Sequence, residues 1–188
     1  MILLVAATDR ELCGHDGLVC GVGPVEAAAA TARALSLRPF DAVLHVGLAG
    51  ARGLPVGSLV VGTEAVYCDL SAEWPVVDRV EPDAALVAAA LQALPGATSA
   101  AIHTSAAVGR SRDTVSQGVL VEAMEGFGVL RAAALAGVAA VEVRAISNEL
   151  GEPDRGRWRI AEALETLAGV VTSFVGALEG SGVRARGS

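Results

Sequence analysis

The sequence predicts an α/β protein with a central, mixed but largely parallel sheet and helices on both of its faces. Three observations carry this. Strand-like and helix-like segments alternate along the chain with no linker or internal repeat, the pattern of a sheet covered by helices. Ile2 to Ala7 is apolar without alternation, as a strand buried on both faces is. Ser58 to Tyr67 and Ala97 to Ser105 are separated by irregular chain, which makes the sheet mixed. The 188 residues are expected to form one domain over 1–178, and the Gly-, Ser- and Arg-rich stretch 179–188 a frayed tail.

In order, Ile2 to Ala7 ends in the polar cluster Thr8-Asp-Arg-Glu11, at the sheet edge where open α/β folds place ligands. A short strand, Gly17 to Cys20, leads through Gly21-Val-Gly-Pro24 into an alanine-rich helix, Val25 to Leu35, with proline suited to its first turn. Asp41 to Val46 is a further buried strand. In Gly47-Leu-Ala-Gly-Ala51, glycines let the backbone come close to a ligand and offer free N–H groups. Leu54-Pro-Val-Gly57 is a turn before the strand Ser58 to Tyr67, and Cys68 to Glu81 is irregular. Pro82 to Leu94 is a helix stopped by Pro95-Gly96. After the strand Ala97 to Ser105, Arg110 to Gln117 is polar with short-helix character. Gly118 to Ala123 is a strand, Glu125 to Leu135 a helix, and Ala139 to Ser147 a strand. The charged loop Glu149 to Arg157 precedes a closing amphipathic helix, Trp158 to Leu178.

Composition narrows the function. Hydrophobic residues are 53% but aromatics only 3%, so Ala, Val and Leu must fill the core. A net charge of −7 argues against general affinity for nucleic acid or anionic membrane. Cys13, Cys20 and Cys68 are an odd number without metal-ligand spacing and read as thiols of a reducing compartment. No run is long and apolar enough to span a bilayer, and the apolar start is too short for a signal peptide. A cytoplasmic protein is expected.

Gly21-Val-Gly23 resembles the start of a dinucleotide fingerprint, but its third glycine would fall on Glu26, whose carboxylate opposes a pyrophosphate. His15, His45 and His103 are dispersed, and no metal site is expected. Three polar residues stand at sheet edges: Glu11, Glu125 and Asn148. Singly, each has a plainer use: Glu11 as a loop acid, Glu125 as a helix N-terminal charge, Asn148 as a turn or cap residue.

Together they resemble a family. Met124-Glu125-Gly126, followed by Arg144-Ala-Ile-Ser-Asn148, is similar to the purine nucleosidase and nucleoside phosphorylase superfamily. Thr8-Asp-Arg-Glu11, Gly21-Val-Gly-Pro24, Val46-Gly-Leu-Ala-Gly50 and Gly57-Ser-Leu-Val-Val61 resemble its upstream motifs in unbroken order. The resemblance implies a three-layer α/β/α sandwich that cleaves an N-glycosidic bond to a base. Glu125 would accept the ribose hydroxyls, Met124 would pack on the sugar, and Glu11 would be general base to water. Asn148 would hydrogen-bond the base at N7, with Ala49, Gly50 and Ser147 around the substrate. Arg144 would orient Glu11 or its loop, or serve structure alone. No cofactor is implied. A homo-oligomer is, with a neighbouring chain completing each site.

Two departures point to one branch. The methylthioadenosine and S-adenosylhomocysteine nucleosidases carry aspartate at Asn148. An amide donates to the O6 of a 6-oxopurine, which favours hypoxanthine or guanine over adenine. Phosphorylases place an arginine where His45 stands, and a neutral histidine is a poor phosphate clamp, so water is the expected nucleophile. With Asp154-Arg-Gly-Arg-Trp-Arg-Ile160, the sequence resembles the futalosine hydrolase family, which releases hypoxanthine from futalosine in menaquinone biosynthesis. Arg157, or its neighbours Arg155 and Arg159, would meet the substrate's distal carboxylate, and Trp158 would cover its aromatic part. The other reading is a solvated basic helix start with Trp158 in the core. Ala123 stands where the nucleosidases have another base-contacting carboxylate. The stretch after Tyr67, trimmed here, forms substrate rim and dimer contact in relatives.

Overall fold

The computed structural model describes residues 1–107 and 118–180; the short helix expected over Arg110 to Gln117 and residues 181–188 of the expected tail lie outside them. Eight strands are present among the described residues: β1 (Ile2–Ala6), β2 (Leu18–Val19), β3 (Ala42–Arg52), β4 (Leu59–Tyr67), β5 (Arg79–Val80), β6 (Thr98–Thr104), β7 (Leu120–Ala123) and β8 (Ala139–Glu149). Four helices cover them: α1 (Pro24–Leu37), α2 (Ala84–Ala93), α3 (Gly126–Ala136) and α4 (Ile160–Gly180). Local chemistry sets several ends. Pro24 opens α1, and the Asp83 side chain accepts the Leu86 N–H at 2.9 Å to cap α2. Gly137, at φ 69°, closes α3 in the left-handed conformation that glycine adopts without strain.

The sheet is mixed and mostly parallel. β1–β2, β1–β3, β3–β8, β4–β6 and β6–β7 run parallel, whereas β3–β7, β4–β5 and β4–β8 run antiparallel. Alternate residues of its central strands serve opposite helix layers, as the twofold side-chain period requires. Leu4, Leu44, Val141 and Val143 pack with Leu86, Leu167 and Phe174 of α2 and α4. Leu3, Val5 and Val43 pack with Ala27, Val129 and Leu130 of α1 and α3. This is the expected sandwich, with one addition. β3 pairs with β8, β8 with β4, β4 with β6, β6 with β7, and β7 returns to the end of β3. The sheet closes on itself as a small ring, lined by Ala51, Val60, Ile102, Val121 and Ile146.

One local expectation is corrected. The strand expected to end at Val46 continues through Gly47-Leu-Ala-Gly-Ala51 to Arg52, because β8 runs beside it over its length. Its glycines make room for side chains. A Cβ on Gly47 would collide with the Arg144 guanidinium, and one on Gly50 would lie 2.9 Å from Asn148 Nδ2. The strand also bulges between Ala49 and Gly50.

Helices α1 and α3 approach closely at Gly128, where a Cβ would strike the Pro24 carbonyl oxygen and lie 3.1 Å from Ala28 N. Alanine would add up to about 1 kcal/mol of helix propensity. Overpacking against rigid helix backbone costs about 1–3 kcal/mol, so the loss prevails. Gly128→Ala is expected to lower the urea unfolding midpoint; an unchanged or raised midpoint would contradict this packing.

Candidate active site

A cavity of about 480 Å³ opens where β1, β3, β7 and β8 end. Beyond β1, Thr8 begins a short 3₁₀ turn, Asp9–Leu12, and forms a reciprocal capping box with Glu11. Glu11 Oε2 accepts from Thr8 N at 3.0 Å and Thr8 Oγ1 at 2.7 Å, and Oε1 accepts from Leu48 N at 3.0 Å. A carboxylate has about four acceptor sites, so one remains for a ligand. The side chain is thereby fixed in the cavity wall with 8% of the residue exposed.

Glu125 stands at the N-cap of α3, also in the cavity wall. Its Oε1 accepts from Gly23 N at 3.2 Å, the glycine turn before α1, and its Oε2 from Arg144 Nη2 at 3.3 Å. Arg144 is not itself a wall residue. It lies fully buried behind the wall, where Nε donates to Glu142 Oε1 at 2.7 Å and Nη1 to the Leu48 carbonyl at 3.3 Å. The link to Glu11 is thus indirect, through the Leu48 peptide. Nη2 also meets His45 Nε2 at 2.6 Å, and His45 Nδ1 lies 3.1 Å from the Val5 carbonyl. A guanidinium only donates and a carbonyl only accepts, so His45 is the neutral Nδ1–H tautomer. Burial, and then Arg144, hold its pKa well below 6.5. Burial pushes the Glu142 pKa upward, against the pull of Arg144, and its Oε2 has no hydrogen-bond partner among the described residues. Gly126 gives it space: a Cβ there would clash with both carboxylate oxygens.

Asn148, near the end of β8, brings an amide to the same cavity. Its Oδ1 accepts from Ser147 Oγ at 2.8 Å and its Nδ2 donates to the Glu149 carbonyl at 3.0 Å. The carbonyl partner fixes which end is nitrogen. One N–H and an oxygen lone pair stay available to a ligand. Met124, Ala49, Gly50 and Ser147 line the cavity as well.

At the mouth, Asp154 caps the 3₁₀ turn Arg155–Arg157. Residues i and i+3 of such a turn share a side, so Arg155 and Trp158 both line the cavity, the guanidinium 5.7 Å from the ring centroid. Trp158 Nε1 donates to the Glu152 carbonyl at 3.1 Å. Arg157 does not line the cavity. Its side chain is 73% exposed and turns to Glu152 and Asp154 at 3.4 and 3.9 Å, and Arg159 pairs with Glu162. Sequence reasoning also passed over Glu142 and Glu122. The signal for Glu142 was present: a carboxylate two residues before Arg144 on one buried strand shares its face.

The sequence model of the Phosphorylase superfamily matches residues 17–179. The chain is 43% identical to the futalosine hydrolase of Streptomyces coelicolor over 192 aligned positions, covering 88% of this chain and 80% of that protein. The chain belongs to the futalosine hydrolase family of the phosphorylase superfamily. It is also 33% identical to the Thermus thermophilus futalosine hydrolase, over 82% of this chain and 78% of that one. Among solved structures, a Helicobacter pylori futalosine hydrolase mutant superposes with a TM-score of 0.83 at 18% identity, covering 93% of this chain and 98% of that one. The S-adenosylhomocysteine nucleosidase of Streptococcus pyogenes, solved with 5-methylthiotubericidin, gives 0.80 at 24%, covering 93% and 95%. These two share the fold.

The neutral His45 has a measurable consequence. Unfolded, it takes a proton near its ordinary pKa of 6.5; folded, it stays neutral well below that. The stability its neutrality contributes is present above 6.5 and lost as pH falls towards the folded pKa, by about 1.4 kcal/mol per pH unit. Urea titrations between about pH 7.5 and about pH 5 should show this slope in the wild type and a shallower one in His45→Asn. Equal slopes would contradict the buried neutral imidazole.

Proposed function

We propose that the protein hydrolyses the N-glycosidic bond of futalosine, giving hypoxanthine and dehypoxanthinylfutalosine in menaquinone biosynthesis. The observation that carries this reading is the Asn148 amide, with a free N–H and a free lone pair, in one cavity with two anchored carboxylates. The names of the relatives at 43% and 33% identity support it.

In this mechanism the C1′–N9 bond breaks with its electron pair going to the base, and the ribose becomes oxocarbenium-like. Glu125 accepts the ribose hydroxyls, an interaction that strengthens as positive charge develops on the ring. Met124 packs against the sugar. Glu11 takes a proton from the water that adds to C1′. An amide cannot supply a proton, so solvent protonates N7; Asn148 Oδ1 then accepts from N7–H while Nδ2–H donates to O6. Arg144 acts behind these groups, aligning Glu125. Phosphate is disfavoured as nucleophile because both nitrogens of His45 are engaged, beneath the wall. Arg155, which like Arg10 lines the cavity, takes the distal carboxylate, and Trp158 covers the aromatic part.

The same reading has the enzyme in the cytoplasm as a homo-oligomer. Three cysteines that form no disulfide among the described residues, and Val22, 55% exposed at the cavity, support these two points. Sedimentation velocity yielding only monomer would remove the second.

Incubation with futalosine should release hypoxanthine at a rate indifferent to phosphate, with inosine and methylthioadenosine inert. A phosphate-dependent rate would overturn hydrolysis. Glu11→Gln is expected to lower kcat by about 100- to 10,000-fold, and Asn148→Asp to move preference towards adenine-bearing substrates. Full activity in Glu11→Gln would refute the assigned base. Arg155→Ala should raise KM for futalosine far more than Arg157→Ala does.

A further inference from the structure

β3, β7 and β8 lie side by side at the cavity, and Gly50 faces Glu122 on one flank and Asn148 on the other. Residues in register on adjacent strands project to the same face. Glu122 and Asn148 therefore stand in one row, one strand to either side of a residue without a side chain. Ala51 and Val121, the residues next to Gly50 and Glu122, turn the other way, into the ring's apolar interior, and the register shift after Ala49 sets Ile146 on that side too. All three members of the row line the cavity. Two strand spacings put the ends of the row roughly 10 Å apart at the backbone. That leaves room for a planar heterocycle above Gly50, gripped from both edges.

The two ends differ in how far they are satisfied. Asn148 is oriented by Ser147 and Glu149. The Glu122 carboxyl enters no hydrogen bond or ion pair among the described residues, although it is half-buried. Burial, and then the charge of Asp69, push it up to about 7. A ligand N–H would give its ionised form a donor that none of the described residues supplies.

We propose that Glu122 is a specificity-determining residue for the base, its carboxylate accepting the N1–H of a 6-oxopurine whose O6 and N7 are held by Asn148. This rests on the purine reading above. A 6-aminopurine presents a lone pair at N1, so the ionised carboxylate, the form that prevails above about pH 7, would oppose it. Discrimination would then come from both ends of the row, and a wrong base leaves buried groups unpaired at each.

The test is binding of free bases to the full chain, by isothermal titration calorimetry. Wild type should prefer hypoxanthine to adenine. In the near-isosteric Glu122→Gln variant that ratio should fall by at least about tenfold, because a rotated amide can donate to adenine N1. Wild type should also bind 1-methylhypoxanthine at least about tenfold more weakly than hypoxanthine, and Glu122→Ala should lose that difference. A hypoxanthine-to-adenine ratio unmoved in Glu122→Gln, or a methyl penalty unmoved in Glu122→Ala, overturns the role of Glu122 and leaves the purine reading standing. If wild type binds none of the bases, the purine reading falls and this inference falls with it.

Discussion

The site depends on one buried cation. Arg144 is fully buried, and its guanidinium ties Glu142 on its own strand, His45 and the Leu48 peptide on β3, and Glu125 at the start of α3. Isolating such a charge from water costs several kcal/mol unless partners replace hydration, and here each arm of the guanidinium meets an acceptor. The arrangement is directional: a planar fork can satisfy all four partners only while β3, β8 and α3 keep their mutual positions. The same geometry demands glycine at 47 and 126, where the guanidinium and the Glu142 carboxylate occupy the space of a side chain.

Charge balance links this support to chemistry. One guanidinium is shared among Glu142, Glu125 and, through space, Glu11. Carboxylates outnumber it, and two of them face the cavity. A net negative wall favours a species that becomes positive on the way to reaction, and Arg144 limits the repulsion between acids that would otherwise crowd together. The neutral His45 completes this by accepting a guanidinium N–H without adding charge.

Much of this was legible in the chain. Apolar runs without alternation located β1 and β8, and proline after glycine located α1. Met124-Glu125-Gly126 with Arg144 to Asn148 held four residues of the cavity wall, Met124, Glu125, Ser147 and Asn148, and the arginine behind it. What stayed hidden depends on contacts distant in sequence. Gly47 to Ala51 has the composition of a loop and becomes strand because β8 lies beside it. Glu122 looks like a polar position on a short strand until Gly50 and Asn148 are found in its row. Arg155, Arg157 and Arg159 are equivalent by composition. Only the tight turn at 155–157 decides that the first faces inward and the second outward.

The order of strands has a bearing on assembly. Closing β3, β8, β4, β6 and β7 into a ring consumes their hydrogen-bonding edges and leaves β2 and β5 at the two ends of the sheet, each only two residues long. Edges so short are poor templates for another chain's strand. Among the described residues, then, an encounter between copies finds little backbone to extend, which guards against fibril-like growth. Any association between copies would have to be written in side chains, on helices and loops.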